Sequence, residues 1–172
     1  MNFLKIMGLE PKRGARGDYE WGTLYGRLEG CLADLPESEV KLIAGFAGLL
    51  WRVAYSDMKL EDSEREKIRE ILRRRTTLDA DRVDRIITLV DKDADRYFGS
   101  ENVYYTRLVN AVAEAPLKLE ILDTLFAVAA ANGSICAKEE AELRIIATGL
   151  FLSHDDYIRI RLRYREFLDV LK

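Results

Sequence analysis

Apolar residues recur along most of the chain at steps of three and four, the period of a helix with one face turned inward. The clearest case is 37–56, where Val40, Ile43, Phe46, Ala47, Leu50, Trp51 and Ala54 form a face broad enough for the middle of a bundle. Continued along the chain, the pattern predicts about eight helices. The first covers 19–34, with Tyr25, Leu28 and Leu32 together, and Pro36 suits the first turn of the second, over 37–56. A third over 62–75 turns Ile68, Ile71 and Leu72 inward, and a fourth over 80–98 does so with Val83, Ile86, Ile87 and Val90. Gly99 ends that helix and Ser100 caps a fifth over 101–114. Pro116 opens a sixth that runs to 131 with Leu119, Leu122, Leu125, Phe126 and Ala129 inside. The seventh covers 137–150. The eighth starts after Ser153 and runs to the end, with Ile160, Tyr164, Phe167, Leu168 and Leu171 on its inner face.

Two stretches repeat one design, AYSDMKLEDSERE from Ala54 and AAANGSICAKEEAE from Ala129, 75 residues apart. Ala54 matches Ala129, Asp57 matches Asn132, Leu60 matches Ile135, Glu64 matches Glu139, and Ile68 matches Leu143. A fixed offset of this kind marks an internal repeat. The predicted fold is therefore all-α: a single-domain bundle of two similar helix-turn-helix halves, about 37–98 and 114–172, within a domain spanning 18–172. Only three prolines occur, and alternating β-branched runs are missing.

A chain of 172 residues is long enough for a substantial core. Its net charge of −3 argues against a dedicated nucleic-acid binder. The two cysteines, Cys31 and Cys136, lack motif spacing and read as buried thiols of a reducing, cytoplasmic setting. Residues 1–17, MNFLKIMGLEPKRGARG, place apolar residues before basic ones, the reverse of a signal peptide, and are too short to span a bilayer. They read as a segment packed on its own domain. The functional alternative is a tail for peripheral membrane contact or partner docking.

The turns have a structural reading and a chemical one. Asp57 and the Asn132-Gly133 pair suit a tight or left-handed backbone, because short polar side chains bond their own main chain. Glu64 and Glu139 fall near the third position of the following helix, where a carboxylate caps exposed amides and meets the positive end of the dipole. The chemical reading gathers Asp57, Glu61 and Glu64 as hard oxygen ligands for a divalent cation, calcium or magnesium, without the spacing of an EF-hand. At the second turn Asn132 and Glu139 are the corresponding candidates, weakened by the loss of one acid.

The order small residue, Asp or Asn, glycine, aliphatic, then glutamate four residues on resembles the TerB family, the tellurite-resistance B group also found at the N-terminus of DjlA-type membrane co-chaperones. AAANGSICAKEEAEL carries it best and RVAYSDMKLEDSEREKI echoes it, and the likeness covers roughly 19–172. It implies an all-helical domain with duplicated halves, a part in stress response, proposed metal association and no established catalysis. Carried over by position, the motif acids are Asp57 and Glu64, with Asn132 and Glu139 in the second copy. Met58 stands where the family has the turn glycine, and Asn132 stands where it has the acid.

Other constellations read structurally. Ser153-His154-Asp155-Asp156 has the letters of a catalytic triad, but neighbours at a helix start cannot take up its geometry, so Ser153 is a cap. His154 is the single histidine, which excludes a multi-histidine zinc site. Asp91, Asp93 and Asp95 read as a solvated helix end. Arg159 with Arg163, and Arg161 with Arg165, make two stripes on the eighth helix that either pair with surface acids or grip an acidic partner. The expected function is a non-enzymatic, TerB-like stress-response module with a protein partner, a second copy of the chain being one candidate. The alternatives are a nucleic-acid- or acidic-partner-binding module using the arginine stripes, and a metal-dependent enzyme uniting Asp57, Glu64 and Asp91.

Overall fold

The computed structural model describes residues 24–56, 62–76, 78–97 and 103–171, with the backbone alone for Leu24 and 92–97. The helices among them are α1 (Leu24–Cys31), α2 (Glu37–Ala54), α3 (Asp62–Arg75), α4 (Ala80–Tyr97), α5 (Val103–Asn110), α6 (Ala115–Ala129), α7 (Ala137–Gly149) and α8 (His154–Arg163). Segment 1–17, the turn residues Asp57 to Glu61, and the Gly99 and Ser100 caps lie outside the described residues.

Helix α2 is the axis of the fold. It packs on α1, α3, α4, α5, α6 and α7, and twelve of its eighteen residues are buried. Fully burying one side chain the size of Leu50 or Val53 is worth about 2 kcal/mol, so a helix that buries so many side chains fixes the arrangement around it. Gly45 and Gly48 bring α5 close. A Cβ on Gly48 would stand 2.2 Å from the Tyr105 ring, and one on Gly45 would stand 2.8 Å from Val109 Cγ2. Tyr105 is accordingly buried, and the helix accepts the lower propensity of glycine there.

In the helix pair α3–α4 and the pair α7–α8, several positions 74 or 75 residues apart have like burial or capping. Ile68 and Leu72 bury their side chains as Leu143 and Ala147 do. Asp79 Oδ1 accepts from Arg82 N at 2.9 Å to cap α4, and Ser153 Oγ accepts from Asp156 N at 3.1 Å to cap α8. Val83 and Ile86 on α4 are matched by buried Tyr157 and Ile160 on α8.

Three expectations need correction. Helix α8 stops at Arg163, and the chain continues as 3-10 turns over Arg165–Phe167 and Asp169–Leu171. The physical reason is a short parallel bridge: Ile135 N–H donates to Phe167 O at 2.6 Å, and Asp169 N–H donates to Ile135 O at 3.1 Å. Leu168 is buried by that pairing, whereas Leu171 is 59% exposed. Within the described residues α5 covers Val103–Asn110, shorter than expected at its C-terminal end, because the backbone leaves the helix at Ala111–Val112 before Pro116 opens α6. Cys31 is exposed rather than buried, since it sits on the outer side of α1 at its last position; Cys136 is half-buried, and both are free thiols.

Candidate functional site

The second turn is fully described. A 3-10 turn, Ala130–Asn132, continues α6 and ends at Gly133, whose φ of 96° places it in the left-handed region that a side chain resists. Asn132 Oδ1 accepts from Ser134 N at 3.0 Å, folding the side chain onto its own loop. Ile135 then drops into the core, fully buried. Cys136 caps α7, and Glu139 Oε2 accepts from Cys136 N at 2.7 Å while the Cys136 sulfur receives the backbone amide of the same turn, a reciprocal capping box. Burial, the largest influence, pushes the Cys136 thiol up, so it stays protonated at neutral pH and is a poor nucleophile.

Both candidate donors of this turn thus accept a backbone N–H of their own loop. Glu140, next along α7, is also buried and meets Arg161 Nε at 2.7 Å. The carboxylate holds the Arg161 guanidinium firmly charged, above its ordinary range.

At the first turn, Asp57 and Glu61 lie outside the described residues. Glu64 occupies the first turn of α3 and is 2% exposed, the place that Glu139 takes in α7. Asp91 Oδ2 lies 3.4 Å from Arg65, and the side chains of Asp93 and Asp95 are not described. Among the described residues no group of three or more His, Cys, Asp or Glu comes together as a metal centre.

The arginines of the C-terminal region separate. Arg159 reaches Asp156 at 2.5 Å, Arg163 reaches Asp123 at 3.0 Å, and Arg161 is held by Glu140. Arg165 is exposed beyond the end of α8, so it does not continue a helical row with Arg161. Ser153 Oγ donates to Asp156 Oδ2 at 2.7 Å, and that hydroxyl lowers the Asp156 carboxyl below its usual range. The serine caps the helix, and its hydroxyl is held by the carboxylate of the same turn.

Sequence reasoning missed the outer side of α5 and α7, where Val103, Ile145 and Phe151 are exposed. The available signal was the run Gly149-Leu150-Phe151-Leu152 just past a helix end: adjacent apolar residues there cannot all face the core.

A family model described as Tellurite resistance protein TerB matches residues 43–162. Comparison with curated proteins and comparison with solved structures each gave no match. The matched span opens within α2, closes within α8, and takes in both turns and the helices they join. An all-helical fold and a family match over well more than half the chain agree, and the chain belongs to the TerB family.

Proposed function

We propose that this chain is a non-enzymatic interaction module of the tellurite-resistance type, acting in a cytoplasmic stress response through a protein partner. The observation that carries this reading is the use made of the motif acid: Glu139 is spent on capping α7, so the turn builds the fold and the outer surface is left for recognition. The module extends over 18–172, beyond the family match, and α1 packing on α2 supports the wider boundary. Free thiols at Cys31 and Cys136 suit a reducing compartment. No helix among the described residues is long and apolar enough to cross a membrane. The test is a photo-crosslinking residue placed in the cell at spread surface positions, such as Arg75, Ile145 and Arg165. Adducts to another protein at any of them support the module, and their absence at all of them overturns it.

A second reading places calcium or magnesium at the first turn, held by Asp57, Glu61 and Glu64. It is favoured by the burial of Glu64 beside the segment that carries the other two acids. At the second turn, Asn132 and Glu139 would have to release backbone bonds to bind a cation, so the reading applies to the first. Calorimetric titration of metal-free protein with each ion checks it. Saturable heat that Asp57→Asn and Glu64→Gln both abolish supports the site, and no heat with either ion removes it.

The arginine stripes are a weaker basis for a nucleic-acid or acidic-partner surface, because Arg159, Arg161 and Arg163 already meet carboxylates.

A further inference from the structure

Helix α7 ends in a Schellman turn: Phe151 N–H donates to Thr148 O at 3.0 Å, and Leu152 N–H donates to Ala147 O at 3.1 Å. The position between those bonds needs a left-handed backbone and usually carries glycine. Here it carries Phe151, with φ of 60°, the one non-glycine residue of positive φ among the described residues. The residue is also 82% exposed. Glycine would relieve the backbone and remove apolar surface from water, so folding alone favours glycine at this position. An aromatic ring kept there against both preferences is best explained by something it contacts.

Phe151 is among the residues that line a groove of about 750 Å³ between α5 and α7. Val103 and Ile145 form its apolar walls, 43% and 53% exposed. Its floor is rigid. Gly149 rests against Thr106, where an added Cβ would stand 3.0 Å from Cγ2, and Asn110 Nδ2 donates to Gly149 O at 2.8 Å. The groove is thus preformed, which lowers the entropic cost of filling it.

Its charge is one-sided. The charged side chains among the described lining residues are Arg107 and Arg144, and Lys118 Nζ lies 5.8 Å from the Phe151 ring centre. This cationic rim stands on a chain of net charge −3. A second copy docked with this groove on the two-fold axis would bring one cationic rim up to the other. A helix with an apolar ridge and acidic flanks satisfies both the walls and the rim.

We infer that the groove between α5 and α7, with Phe151 as its anchor, takes an acidic amphipathic helix of a partner protein. The inference rests on the interaction-module reading and says where and by what chemistry that module binds.

The test starts from display selection on the full chain with helical peptides whose apolar ridge is constant and whose flanks are acidic, neutral or basic. The best binder of each class is then titrated by fluorescence anisotropy against wild type, Phe151→Gly and Arg107→Glu. The expected result is preference for acidic peptides, binding that weakens with salt, and at least about tenfold weaker binding in each variant. Phe151→Gly should keep or raise the melting temperature, so its lost binding is not lost folding. The inference is overturned if acidic peptides show no preference, or if their binding is unchanged in both variants. A concentration-dependent dimer abolished by Phe151→Gly would give the groove to a second copy and also overturn it. In the cellular crosslinking, silence at Ile145 with adducts at Arg75 or Arg165 removes the groove and leaves the module; silence everywhere removes both.

Discussion

Glu140 and Arg161 meet at 2.7 Å across α7 and α8, with only 11% and 17% of their side chains exposed, whereas Arg163 meets Asp123 at 3.0 Å in the open. Truncating one member of a shielded pair strands the other charge, so Arg161→Ala should cost about 3 kcal/mol. Arg163→Ala should cost less than about 1 kcal/mol, because water already screens that pair. Urea unfolding of the two variants decides the point, and equal losses would refute the assigned difference.

Glu139 offers a test of capping. Glu139→Ala leaves the Cys136 amide without its acceptor and should cost about 1–2 kcal/mol, while Glu139→Gln, which keeps an acceptor oxygen, should cost about half as much. Thermal unfolding with and without calcium measures both. A loss that appears only when calcium is present would reassign the side chain to a cation.

Two glycines should respond to alanine with opposite signs. Gly48→Ala forces a methyl into the Tyr105 ring and should destabilise by about 3 kcal/mol as α5 is pushed away. Gly26 lies in α1 with nothing within 4 Å of an added Cβ, so Gly26→Ala should stabilise by up to about 1 kcal/mol. Chemical denaturation of the pair would expose the error if both shifts had one sign.

Alkaline pH should loosen the C-terminal region. Burial, aided by the Asp123 carboxylate, pushes the Tyr164 hydroxyl up from 10.0 to about 12. Between these values the unfolded chain gives up the proton and the folded one keeps it, so stability falls as pH rises from about 10 to about 12. Tyr164→Phe should flatten this fall without removing it, because Tyr25 is also pushed up to about 12. At neutral pH the variant should lose about 1 kcal/mol, the hydrogen bond to Asp123 O. A denaturation midpoint with unchanged alkaline slope would count against the assignment.

Helix positions were legible in the sequence because burial follows period: Ile43, Leu50, Ile68, Leu125 and Ile160 all face the core as their spacing requires. Motif residues were legible as well, since the local geometry of Asn132 and Glu139 is written in their side chains and that of Gly133 in the lack of one. Helix α8 was overextended because Tyr164, Phe167 and Leu168 keep a helical rhythm while a backbone partner at Ile135, far away in sequence, draws the chain off the helix. Glu140 was passed over because its match, Arg161, lies on another helix. The apolar run around Phe151 hinted at its exposure, but its backbone was not legible, because an apolar letter says nothing of the sign of φ.

The bridge between Ile135 and Leu168 gives the molecule a mechanical connection. The motif turn and the C-terminal stretch share two backbone hydrogen bonds, so opening either one costs the other its partners. Load applied beyond Leu168, by a tether or by further chain, is delivered directly to the loop between α6 and α7. That loop's amides should therefore exchange with solvent in step with those of 167–169, as one unit.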